Sequence, residues 1–138
     1  MFRHGDLLII PTTEYPAEVD EKFPHTTLAW GEATGHNHCL EPLQLKGEYM
    51  VAEKSDTGEM EQRYVTGETL LQRFGYEYIK SESAPELVMK DGQMYFKTTG
   101  TSIVKHQEHG TIVVPPGTYI NRIQREYQPG EVPRNVID

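Results

Sequence analysis

Four of the six histidines fall in two tight pairs, His36 and His38 in GEATGHNHCLE, and His106 and His109 in KHQEHG. Imidazole is the commonest side-chain ligand for transition metals, so the spacing within each pair sets what the pair can hold. In an extended strand, side chains two apart project from the same face. His36 and His38 would then stand with Cα atoms about 6–7 Å apart, and one small cation can accept a nitrogen from each. A spacing of three brings His106 and His109 together only in a turn, after which Gly110 lets the chain resume an extended path. Taken together, His36, His38, His106 and His109 are candidate ligands for one divalent transition metal such as Zn, Fe, Ni or Mn. Four neutral nitrogens do not suit Ca or Mg, which prefer oxygen.

Two carboxylates stand beside these pairs. Glu41 is three residues beyond His38 and reaches the same centre if the strand bends at Pro42, as a ligand or as a general base. Glu108 lies between His106 and His109 and is a candidate to accept a histidine N–H and fix its tautomer. A closed set of four histidines would make the metal structural. A set that leaves a position open lets the metal activate water or polarise a carbonyl. For a small-molecule substrate the candidate contacts are Arg125, whose guanidinium matches a carboxylate or phosphate, and Tyr119, which shares its strand face. Arg122 falls on the opposite face. Cys39 follows His38 and so points away from it, as a small buried hydrophobe. The chain has no GxSxG, no phosphate-cradling glycine loop and no dinucleotide fingerprint, which argues against hydrolase, NTPase and Rossmann chemistry.

The elements that must position these groups are short. Twelve Gly and nine Pro punctuate the whole chain, with Tyr, Thr, Val and Ile between them, the texture of many strands and few helices. Strands are predicted over 6–10, 26–32, 48–53, 59–65, 101–105, 111–114 and 118–127. A hairpin is predicted over 86–97, turning at Asp91-Gly92, a dipeptide that accepts the positive φ angles of a type I′ turn. A single helix is predicted in GETLLQRF, capped by Thr66 and stopped by Gly75, with Leu70, Leu71 and Phe74 on one face and a place over one end or edge of the sheet. The expected fold is all-β: one small domain over 1–138, a β-barrel or sandwich with one short helix. Its last stretch, 128–138, carries two prolines and reads as an extended tail.

Composition narrows the setting. The chain is 36% hydrophobic and 25% charged, and no apolar run approaches the ~18–20 residues of a membrane span. With 21 acids against 13 bases the net charge is −8, which disfavours nucleic acid or an anionic membrane as a partner. The imbalance sits in residues 1–62, which hold 12 acids and 4 bases, so cations are drawn to that half. One cysteine precludes an internal disulfide and fits a cytoplasmic protein.

Two segments resemble the motifs of the cupin superfamily. Gly31, His36, His38, Glu41 and Gly47 are similar to its leading motif, and GTIVVPPGTY at 110–119 is similar to its closing one, except that Ile120 stands where that motif carries a histidine. The resemblance implies a cupin-like β-barrel, a three-histidine, one-glutamate metal site of the kind used by oxygenases, isomerases and lyases, a small-molecule ligand, and pairing of two copies through exposed strands. The non-catalytic alternative is a β domain closed by a structural zinc, an assembly or accessory protein. The wider pattern, GDLLIIP with GHxH, HxxH and PPGxY, also resembles small bacterial and phage-encoded proteins with no assigned activity.

Overall fold

The computed structural model describes residues 2–4, 7–30, 37–106, 110–123, 125–126 and 134–135. The elements in chain order are β1 (Phe2–His4), β2 (Leu7–Pro11), β3 (Glu21–Lys22), β4 (Thr27–Trp30), β5 (Asn37–Pro42), β6 (Glu48–Lys54), β7 (Met60–Thr66), α1 (Gly67–Phe74), β8 (Glu86–Lys90), β9 (Gln93–Thr98), β10 (Ser102–His106), β11 (Gly110–Val114), β12 (Gly117–Ile123), β13 (Arg125–Glu126) and β14 (Arg134–Asn135). The fold is all-β with one short helix, and its sheets stack as a sandwich and do not close into a barrel. A six-stranded sheet runs β1-β2-β12-β9-β8-β3, a four-stranded sheet runs β11-β10-β5-β4, and β6-β7 and β13-β14 form separate ladders. The β13-β14 ladder pairs Arg134–Asn135 of the expected C-terminal tail with Arg125–Glu126.

Alternation along the strands builds two cores on opposite faces of the four-stranded sheet. Leu40, Val104 and Val114 face the six-stranded sheet and pack with Leu7, Ile9, Leu28, Leu87, Phe96 and Tyr119. Ile103 and Val113, register partners one position out of phase with those, face the other way. They pack under Tyr49 and Val51 of β6 and under Leu70 and Leu71 of α1. The four-stranded sheet is therefore the middle layer of three, covered by the large sheet on one side and by the β6-β7 hairpin with α1 on the other. The helix packs against β11, the edge strand of the four-stranded sheet, and with β6-β7 completes this outer layer.

Local chemistry explains the elements that the chain announces most clearly. The Thr66 hydroxyl accepts from the Thr69 N–H at the start of α1, and Gly75 in the left-handed region ends it, its N–H reaching back to Leu71 and Gln72. At the β8-β9 turn both Asp91 (φ 50°) and Gly92 (φ 74°) take the positive angles a two-residue hairpin requires. Residues 77–83 are held against the sheet by hydroxyls. Thr101 Oγ1 accepts from the Ile79 N–H at 2.9 Å and donates to the Glu77 carbonyl at 3.3 Å, while Thr99 accepts from Glu82 and Ser83.

Candidate functional site

Two of the four predicted metal ligands meet. β5 and β10 are antiparallel neighbours, with Lys105 opposite Cys39 and Val104 opposite Leu40, so the next inward pair along the ladder is His38 and His106. Their rings stack at a centroid separation of 4.4 Å with 30° between planes. Both lie on the inner face, 1% and 4% exposed, at the end of the sheet where β5 begins and β10 ends. Sequence separates them by 68 positions, and only the strand register joins them.

The other two ligands, His36 and His109, lie outside the described residues, as does Glu108. In the chain they immediately precede Asn37 and Gly110, the first residues of β5 and β11, and Gly110 is the register partner of His106. Among the described residues, no three His, Cys, Asp or Glu side chains gather closely enough to hold a metal ion. Two imidazoles alone do not make up the three or four protein ligands of a zinc-type site.

Three expectations need correction. Glu41 does not join the histidines. β5 runs straight from Asn37 to Pro42, so a residue three beyond His38 emerges on the opposite face. There its carboxylate pairs with Lys105 at 3.0 Å. Tyr119 does not line a ligand site: it is buried in the core, stacked on Phe96 at 5.0 Å, and its hydroxyl donates to the Pro115 carbonyl at 2.7 Å. Burial, with a smaller contribution from Tyr76, pushes the Tyr119 phenol up to about 12. Cys39 is not a buried hydrophobe; it points outward, half-buried, beside Lys105. For Arg125 the backbone belongs to β13, and its side chain lies outside what the structure describes.

The outward face of β5, β10 and β11 instead forms the floor of a cleft of about 730 Å³. In register across the three strands, Cys39, Lys105 and Thr111 make one row of this floor, with Glu41 beside it. Its wall is the β6-β7 hairpin, which contributes Glu48, Tyr49, Met50 and Tyr64, and its far end touches His106. That volume lies within the range of small-molecule sites. The wall is fixed by a close approach: the Tyr49 hydroxyl accepts from the Gln44 N–H at 2.9 Å, and the Gly67 and Glu68 N–H groups donate to Gly47 and Leu45 at 2.8 and 3.0 Å. The cleft escaped the sequence reading because its lining comes from five strands. Only the alternation that turned Glu41, Cys39 and Lys105 away from the core hinted at it.

Comparison with known proteins adds a kinship to this geometry. A family model described as a domain of unknown function (DUF8820) matches residues 3–73, about half of the chain. The chain belongs to the DUF8820 family. No curated protein and no solved structure matches it significantly. The region matched by DUF8820 contains His36, His38, Glu41 and the β6-β7 wall of the cleft, whereas His106 and Lys105 lie beyond it. No helix among the described residues of this DUF8820 member is long and apolar enough to cross a membrane.

Proposed function

We propose that this protein binds a divalent transition metal at the histidine end of the sandwich. His38 and His106 supply two ligands, and His36 and His109 supply the others. The observation that carries the reading is the convergence of His38 and His106, 68 residues apart, as a stacked and buried pair. Burial of both rings and the turning away of Glu41 favour a metal that closes the fold, since among the described residues no carboxylate is shown at hand for proton transfer. The cleft supports a second reading: because its lining reaches His106, a metal held there would face a space that admits a small molecule, as in a metalloenzyme of cupin type.

Elemental analysis of tag-free protein beside a His38→Ala/His106→Ala variant tests the proposal. Near-stoichiometric transition metal that is lost in the variant is the expected result. Metal-free protein that takes up neither zinc, iron, nickel nor manganese on titration, with no rise in melting temperature, refutes it. Cobalt substitution separates the two readings: a closed four-histidine site gives a tetrahedral spectrum indifferent to azide, and an open one gives a spectrum that azide changes.

A further inference from the structure

The cleft on the outward face of the four-stranded sheet is distinct from the stacked pair, of which only His106 belongs to its lining. Among the described residues three formal charges line it, the carboxylates of Glu41 and Glu48 and the ammonium of Lys105. Glu41 and Lys105 are already paired at 3.0 Å, both half-exposed, whereas among the described residues Glu48 has no ion-pair partner. A ligand that inserts at such a pair without leaving a charge unpaired must carry both signs. The lining as a whole, two anions and one cation, is complemented by a ligand with two cations and one anion.

We propose that the cleft binds a free basic α-amino acid, arginine or lysine. Its α-carboxylate lies on Lys105, its α-ammonium on Glu41, and its side-chain cation on Glu48. The rest of the lining fits the parts between. Cys39 and Thr111 flank Lys105 in register, and Thr111 offers a hydroxyl to the α-groups. On the wall, the flexible thioether of Met50 suits an aliphatic stem, and Tyr64, 69% exposed, offers a ring face to a guanidinium or ammonium. The excess of acids in the N-terminal half favours approach of such a ligand over an acidic one.

Titration of ¹⁵N-labelled full-length protein with arginine and three relatives tests this. Agmatine lacks the carboxylate, citrulline lacks the side-chain charge, and N-acetyl-arginine amide lacks both charged α-groups. Arginine is expected to bind tightest, with agmatine and citrulline each about three- to tenfold weaker, the size of one partly exposed ion pair. Glu48→Gln, an exposed change with no partner to disturb, should erase the difference between arginine and citrulline. Lys105→Met, checked for fold by circular dichroism, should erase the difference between arginine and agmatine. The proposal is overturned if arginine at about 10 mM moves no resonance of the lining. It is equally overturned if the blocked amide binds as well as free arginine, if the relatives bind alike, or if glutamate is preferred.

Discussion

Replacing Gly67 by alanine sets two principles against each other, and the geometry says which wins. Gly67 is the first residue of α1, where alanine ordinarily gains as much as ~1 kcal/mol of helix propensity over glycine. Here a Cβ would stand 2.0 Å from the Gln44 carbonyl oxygen, 2.9 Å from its carbon and 3.1 Å from Tyr49 Cε2. Carbon and oxygen tolerate about 3.3 Å at closest, so the helix start and the Gln44 loop must separate by more than an ångström. The obstacle is backbone and cannot rotate aside. Separation strains the Gly67–Gly47 and Glu68–Leu45 hydrogen bonds, each worth about 1 kcal/mol net, and loosens the seat of Leu70 and Leu71 on Ile103 and Val113. The expected sum is a loss of about 2–4 kcal/mol, read as a shift of the urea midpoint at unchanged slope. Gln72→Ala, on the exposed side of the same helix, is the control and should change stability by less than ~0.5 kcal/mol. If Gly67→Ala proves as stable as the parent, the close docking of α1 on the Gln44 loop is wrong, and with it the fixed wall of the cleft.

Two further substitutions probe the interior. Tyr119 has a folded-state phenol near 12 against 10.0 ordinarily, so the folded protein holds that proton more tightly than the unfolded chain. The stability this contributes, up to about 2–3 kcal/mol, is fully present below pH 10 and is lost as pH rises through 12. Tyr119→Phe should flatten that part of an alkaline denaturation curve while lowering neutral-pH stability by about 1 kcal/mol through the lost bond to Pro115; an unchanged alkaline slope would contradict the buried phenol. Thr101→Val, nearly isosteric, leaves the Ile79 N–H and the Glu77 carbonyl without the hydroxyl that serves both, and should cost about 1–3 kcal/mol. Hydrogen exchange should show the loss of protection concentrated at Ile79, and protection retained there would mean that the hydroxyl does not hold the segment.

What could be read from the sequence was what is encoded within a few residues. Thr66, the Leu70/Leu71 spacing and Gly75 specify α1 locally, and Asp91-Gly92 specifies the β8-β9 hairpin, because caps and tight turns need particular side chains at particular backbone angles. Long-range pairing carries no such local signature. Nothing between residues 43 and 101 says that β5 will lie beside β10, so the meeting of His38 with His106 rests on a register set by both cores at once. The same period-two rule that places His38 inward forbids Glu41 from following it. The placement of that carboxylate beside the histidines fails because it requires a bend that Pro42, at the very end of β5, does not introduce. The alternation that puts Tyr119 on one strand face with Arg125 does not say whether that face meets a ligand or the core. The partner of the Tyr119 hydroxyl, the Pro115 carbonyl, belongs to the proline-glycine turn just before it and holds the ring in the core.

The strand order gives the family boundary a physical meaning. The stretch shared with DUF8820 stops at residue 73, yet β2 is bridged to β12, β5 to β10 and β3 to β8, all partners contributed by the other half of the chain. Among the described residues only the β1-β2, β4-β5 and β6-β7 pairings are complete within it, and α1 loses its last residue, Phe74, and its Gly75 cap. A fragment cut at that boundary would carry the inheritable pattern of the family without Leu87, Phe96, Val104, Val114 and Tyr119, over half of the main interior. It would also offer the bare edges of β2 and β5 to any passing strand. Kinship and autonomous folding thus have different borders here, and an expression trial guided by the first alone should yield aggregates where the intact chain yields a folded protein.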